Sequence, residues 1–109
     1  MTSLQKYDLN EIPWTDVAAS IKAGNDTIMI PVGSLEKHGH HVPLGVDSYT
    51  TMGSVELAAK KAKVLYSPLL PFGVSSHHMG EPGWGTGTIT LPPEIYRQVL
   101  YSIGRSLIF

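Results

Sequence analysis

A short apolar run from Thr27 to Val32, TIMIPV, opens into a loop punctuated by glycine and proline, and that loop opens into a helical pattern. A run of this length with β-branched residues suits a buried parallel strand. A helix after it makes the crossover that a parallel neighbour needs. The unit therefore points to an α/β chain. In such sheets, ligands sit at the carboxyl ends of the strands. The segment leaving that end, Pro31 to Asp47, reads PVGSLEKHGHHVPLGVD and places Glu36, His38 and Asp47 together. Carboxylate and imidazole are ligands preferred by borderline divalent metals such as zinc and manganese. In an extended segment, residues two apart point the same way, so Glu36 and His38 can converge on one volume. Gly33, Gly39 and Gly45 allow the tight turns that return Asp47 to that pair.

The rest of the chain alternates helix and strand in the same manner. Thr15 is the expected N-cap of a first helix through Ala23, with Asp16 in its first turn and a stop at Gly24. Asp47 or Ser48 is expected to open a second helix to about Lys61, and Val64 to Tyr66 reads as a second strand ended by Ser67 and Pro68. A loop rich in glycine and proline runs from Pro71 to Gly87, and Thr88 to Leu91 suits a short extended piece. A third helix is expected over Pro93 to Leu107, with Pro92, Pro93 and Glu94 fitting its start. Its stripe of Ile95, Val99, Ile103 and Leu107 needs a sheet face to cover, yet only two clear strands precede it. The expectation is an α/β domain incomplete at the C-terminus, with that stripe lacking part of its cover.

Composition narrows the function classes. A chain of 109 residues is one domain at most, and 42% hydrophobic with 16% charged residues is ordinary for a soluble globular protein. The net charge is −1, and the one basic cluster, Lys60, Lys61 and Lys63, closes a helix where cations suit the dipole. This argues against nucleic acid as a partner. The absence of cysteine excludes disulfide frameworks and thiolate metal sites. The polar N-terminus has no apolar signal core and no segment approaches transmembrane length, so no membrane partner is expected and the cytoplasm is the expected compartment.

The Pro31 to Asp47 segment closely resembles the creatininase (creatinine amidohydrolase) family, whose members carry Pro-Val-Gly-Ser-x-Glu-Gln-His-Gly-x-His-x-Pro-Leu-x-x-Asp. Lys37 stands here for the usual glutamine, and His40 where many relatives have proline. The resemblance extends along the chain, from Trp14-Thr-Asp-Val to the second loop, LLPFGVSSHH, at Leu69 to His78. It implies a parallel-sheet α/β/α layered domain of which residues 1–109 would be the N-terminal portion. It also implies two divalent ions, zinc or manganese, held by Glu36, His38 and Asp47, with Asp47 bridging. Further ligands would come from a later Asn-Gly-His motif that this sequence lacks, so the chain as given is expected to be inactive. The implied activity is hydrolysis of an amide C–N bond, often cyclic, by a metal-activated water, in a homo-oligomer acting on a small molecule. A non-catalytic fragment or structural subunit with an incomplete metal site is the competing expectation.

Each candidate has a plain alternative. Asp47 makes a good N-cap, although capping and ligation can coexist on one carboxylate. His41 matches a family histidine and is the candidate outer partner that orients a ligand. It and His40 can equally pack against the loop. His78 falls on the histidine of the family pattern Gly-x-Ser-x-x-His, so Ser76 and His78 are candidate substrate contacts, or else polar loop residues that satisfy the backbone. The loop Gly80 to Thr88 departs from the common Phe-Pro-Gly-Thr form: Glu81 replaces the phenylalanine, and extra residues separate Pro82 and Gly83 from Thr88. It lacks the Gly-Lys-Ser/Thr ending of a phosphate-binding loop. Trp84 is expected there as an aromatic lid over the substrate or a contact between subunits.

Overall fold

The computed structural model describes residues 6–79 and 84–108. Its elements are α1 (Trp14–Lys22), β1 (Ile28–Met29), α2 (Val46–Ala62), β2 (Leu65–Tyr66) and α3 (Pro93–Leu107), with single 3-10 turns at Leu9–Glu11 and Ser76–His78. β1 and β2 pair in parallel, Ile28 opposite Leu65 and Met29 opposite Tyr66, with α2 as the crossover between them. The α/β reading holds, but the regular strands are shorter than the apolar runs suggest. Pro31 and Pro68 each lack an N–H, which breaks the ladder. Pairing resumes beyond them at Val32 and Leu70, where Leu70 N–H donates to the Pro31 carbonyl (3.0 Å) and Gly33 N–H to the Leu70 carbonyl (2.8 Å). Both chains then leave the sheet side by side. This delivers the Glu36 loop and the His78 loop to one end.

Helix starts differ from the sequence expectation by one or two residues, and the difference matters at α2. Pro13 and not Thr15 caps α1; its carbonyl accepts from Asp16 N–H at 3.0 Å, and Thr15 already lies inside the helix. α2 begins at Val46 with Gly45 as its N-cap, so neither Asp47 nor Ser48 caps it. Asp47 sits in the first turn, where a carboxylate suits the helix dipole. Its side chain is thereby released to face the neighbouring loop. Lys63 ends α2 in the left-handed conformation at φ 57°.

Among the described residues few hydrophobic side chains are buried: Ala59, Leu65, Tyr66 and Met79. Alongside them Ser20, Glu36, Ser67, Ser75 and Thr88 are buried polar groups. Glu36, Ser75 and Thr88 lie where the loops meet. Such groups must be hydrogen-bonded to tolerate burial, so they specify how the loops fit. α3 buries none of its residues; Ile95 is 48% exposed, while Val99, Ile103 and Leu107 are half-buried. The radius of gyration of 16.5 Å exceeds the roughly 13 Å of a compact chain of this length. No helix among the described residues is long and apolar enough to cross a membrane.

Candidate metal centre

Three pieces of chain meet at the carboxyl end of the sheet. The first is the extended segment after β1, held to its own return by Glu36 N–H donating to the Leu44 carbonyl at 3.2 Å. Its reversal passes through Gly39 at φ 112°, a conformation that side chains disfavour. The second is the first turn of α2, packed so closely on Gly33 that a Cβ there would lie 3.1 Å from the Ser48 Cα. The third is the Ser76–His78 turn, whose His78 N–H donates to the Ser75 carbonyl at 2.9 Å. Glu36, His38 and Asp47 thereby offer ligand atoms that all lie within 4.8 Å of one another.

The spacing of those atoms decides what the cluster suits. His38 Nε2 lies 3.6 Å from Glu36 Oε1 and 3.5 Å from Asp47 Oδ2. Both are too long for a hydrogen bond, and His38 Nε2 is a buried atom with no hydrogen-bond partner among the described residues. Buried polar nitrogens are rarely left so. Ligands about 2.0–2.1 Å from a common tetrahedral ion stand about 3.3–3.4 Å apart, close to the separations seen. The donor set and its spacing fit a divalent cation of the zinc or manganese kind.

The carboxylates respond to one another. Burial pushes the Glu36 carboxyl up, but the polar side chains of Asp47, Ser34 and Ser75 and the charge of His78 together hold it below its ordinary value. The Asp47 carboxyl moves the opposite way. Its hydrogen bond to Glu36, its burial and the Glu36 charge raise it, against the pull of His38. Of two carboxylates facing one volume, Asp47 is the one favoured to take up a proton as pH falls, and a cation would relieve the same repulsion. The contribution of Asp47 to the stability of the metal-free fold is full below its unfolded pKa and is lost as pH rises through its raised folded value. Glu36, being depressed, loses its contribution as pH falls through its folded value. Asp47→Asn should therefore make the metal-free chain more resistant to urea at neutral pH, with the gain fading as pH falls through the raised Asp47 value. Urea melts in chelator across that range would refute this repulsion between the carboxylates if asparagine were destabilising at neutral pH.

The other sequence candidates are placed less uniformly. His78 Nε2 stands 3.8 Å from Glu36 Oε1, its ring 6.2 Å from that of His38 and tilted against that of His77 at 4.1 Å. Ser76 is exposed. Trp84 is 80% exposed, and residues 80–83 beside it, with Glu81 and Pro82, lie outside the described residues. His41 is exposed, its ring edge-on to His40 at 6.5 Å, and no hydrogen bond among the described residues joins it to the three ligand candidates. Sequence reasoning missed Ser34 and Ser75. Ser34 Oγ donates to Glu36 Oε2 at 2.9 Å and lies 2.7 Å from Ser75 Oγ, which is fully buried. Ser34 has one proton and gives it to Glu36, so Ser75 is the donor to Ser34. The spacing Gly73, Ser75, His78 was the available signal, since the serine of Gly-x-Ser-x-x-His falls on Ser75.

The creatininase family profile, described as creatinine amidohydrolase, matches residues 10–108. The chain belongs to the creatininase family. Among curated relatives, creatinine amidohydrolase of Pseudomonas putida is 32% identical over 75 residues, covering 69% of this chain and 29% of that protein. The mycofactocin precursor peptide peptidase of Mycobacterium ulcerans (strain Agy99) is 29% identical over 101 residues, covering 84% and 39%. The chain thus spans well under half the length of these relatives. A creatininase structure with manganese superposes with a TM-score of 0.84 at 29% identity, covering 94% of this chain and 40% of that one. A mutant creatininase of Zn–Zn type gives 0.83 at 28% identity, covering 95% and 41%. These likenesses identify the sheet, its crossover helix and the loops as a creatininase-type α/β arrangement.

Proposed function

We propose that this creatininase-family chain forms the metal-binding part of a hydrolase that cleaves an amide C–N bond in a small, often cyclic, substrate. The observation that carries the reading is the buried, unpartnered His38 Nε2 between two carboxylate oxygens. Glu36, His38 and Asp47 would hold zinc or manganese, which occur in the structurally similar creatininases. When bound, such ions supply carbonyl polarisation and a water of lowered pKa. Ser34 keeps Glu36 Oε2 occupied, which leaves Oε1 for the shared volume. Asp47, whose Oδ2 lies 3.5 Å from His38 Nε2, would serve both ions, as the family resemblance implies. His78, beside Glu36 and partly exposed, is the best-placed contact for a polar substrate. Ser76 and Trp84 would form outer walls, and His41 would orient the ligand loop. A cytoplasmic homo-oligomer belongs to the same proposal and rests on family resemblance.

The direct test is calorimetric titration of the chelated protein with Zn²⁺ and with Mn²⁺, followed by assay of creatinine and other cyclic amides before and after metal is restored. Saturable binding and metal-restored hydrolysis are expected. Hydrolysis that persisted through exhaustive chelation and through Asp47→Ala would remove the proposal.

A further inference from the structure

We infer that Thr88 is a positioning residue that fastens the His78 loop to the ligand loop; the inference rests on the metal-site reading above. The Thr88 hydroxyl is buried, the residue being 7% exposed, and it bridges two backbones. It accepts from Lys37 N–H at 2.9 Å and donates to the His78 carbonyl at 3.1 Å. Lys37 is the residue between the candidate ligands Glu36 and His38, so the bond acts at the middle of the ligand pair. A hydroxyl carries one proton and can accept as well, which is what a link between a donor and an acceptor requires.

The neighbours of Thr88 make the same join. Ile89 N–H donates to the Leu35 carbonyl and Leu91 N–H to the Gly73 carbonyl, both at 2.9 Å. Thr90 Oγ1 accepts from Ser75 N–H at 2.8 Å. Residues 87–91 are thus a strap laid across both loops, and Thr88 is the member whose side chain touches both at once. Lys37 Nζ reaches the Met79 carbonyl across the same seam. With the seam closed, His78 Nε2 stands 3.8 Å from Glu36 Oε1. The sequence departs from the common family form just before Thr88.

Thr88→Val keeps the shape and removes the link, and Thr88→Ser restores it. With Mn²⁺ bound to the chain, paramagnetic broadening of the His38 and His78 ring protons reads each ring's distance from the ion. Both rings should broaden in the unmodified chain. In Thr88→Val, His38 should stay broadened and His78 should sharpen, with Zn²⁺ affinity lower by about tenfold, and Thr88→Ser should recover both. Equal broadening of His78 in the valine variant and the unmodified chain would overturn the inference while leaving the metal site intact. Absence of broadening at His38 in the unmodified chain would instead count against the metal reading. In that case, or if the valine variant does not fold, amide exchange at Lys37 in the unmodified chain decides. Slow exchange there supports the Thr88 link, and exchange at the rate of an open loop overturns it.

Discussion

Asp47→Ala is expected to weaken Zn²⁺ and Mn²⁺ binding by more than about 100-fold, because a lost ligand should cost at least as much as a lost outer partner. It should do more harm than Glu36→Ala or His38→Ala. On the proposal above Asp47 would serve two ions, while Glu36 and His38, within the same cluster, would each serve one. Its removal would therefore weaken the hold on both ions. The fold should survive. A first-turn acid contributes only about 0.3–1 kcal/mol through the helix dipole, and losing it also relieves the repulsion from Glu36. Calorimetric titration of the three alanine variants, with circular dichroism as a check on folding, gives the ranking. Weaker binding by Glu36→Ala or His38→Ala than by Asp47→Ala would contradict the bridging placement.

Gly87→Ala is expected to cost about 2–4 kcal/mol of stability, from two sources. Gly87 holds φ at 117°, which an alanine adopts only under strain, and a Cβ there would overlap the Leu44 Cδ1. Leu44 can yield because its methyl groups are the free end of a flexible side chain, which keeps the cost below that of a backbone clash. The Leu44 carbonyl also receives the Glu36 N–H, so its displacement reaches the candidate ligand directly. Gly24 is the control. It has φ at 98° with nothing within 4 Å of its would-be Cβ, so alanine there bears the conformational strain alone. Equilibrium urea melts of both variants should place Gly87→Ala clearly below Gly24→Ala. Equal midpoints would mean that the strap does not press on Leu44.

Parallel α/β pairing, three helices and the shared direction of Glu36 and His38 were all legible from periodicity, turn residues and a two-residue spacing. These are local quantities, and each depends on neighbours a few positions away. The family resemblance added the assignment of Asp47, whose local chemistry reads equally well as a helix cap. Only the tertiary structure separated those roles, by starting α2 at Val46 and turning the carboxylate toward His38. It likewise buried Ser75 beside Ser34 and left Ser76 exposed. The two serines are adjacent, so their facing depends on how the 3-10 turn docks. Thr88 shows the limit most plainly. In sequence it is one residue of a short β-favouring stretch, but in the fold its hydroxyl joins chain segments 51 and 10 residues away. Such a contact exists only after distant loops close on one another, and their closure depends on the packing of the whole sheet end.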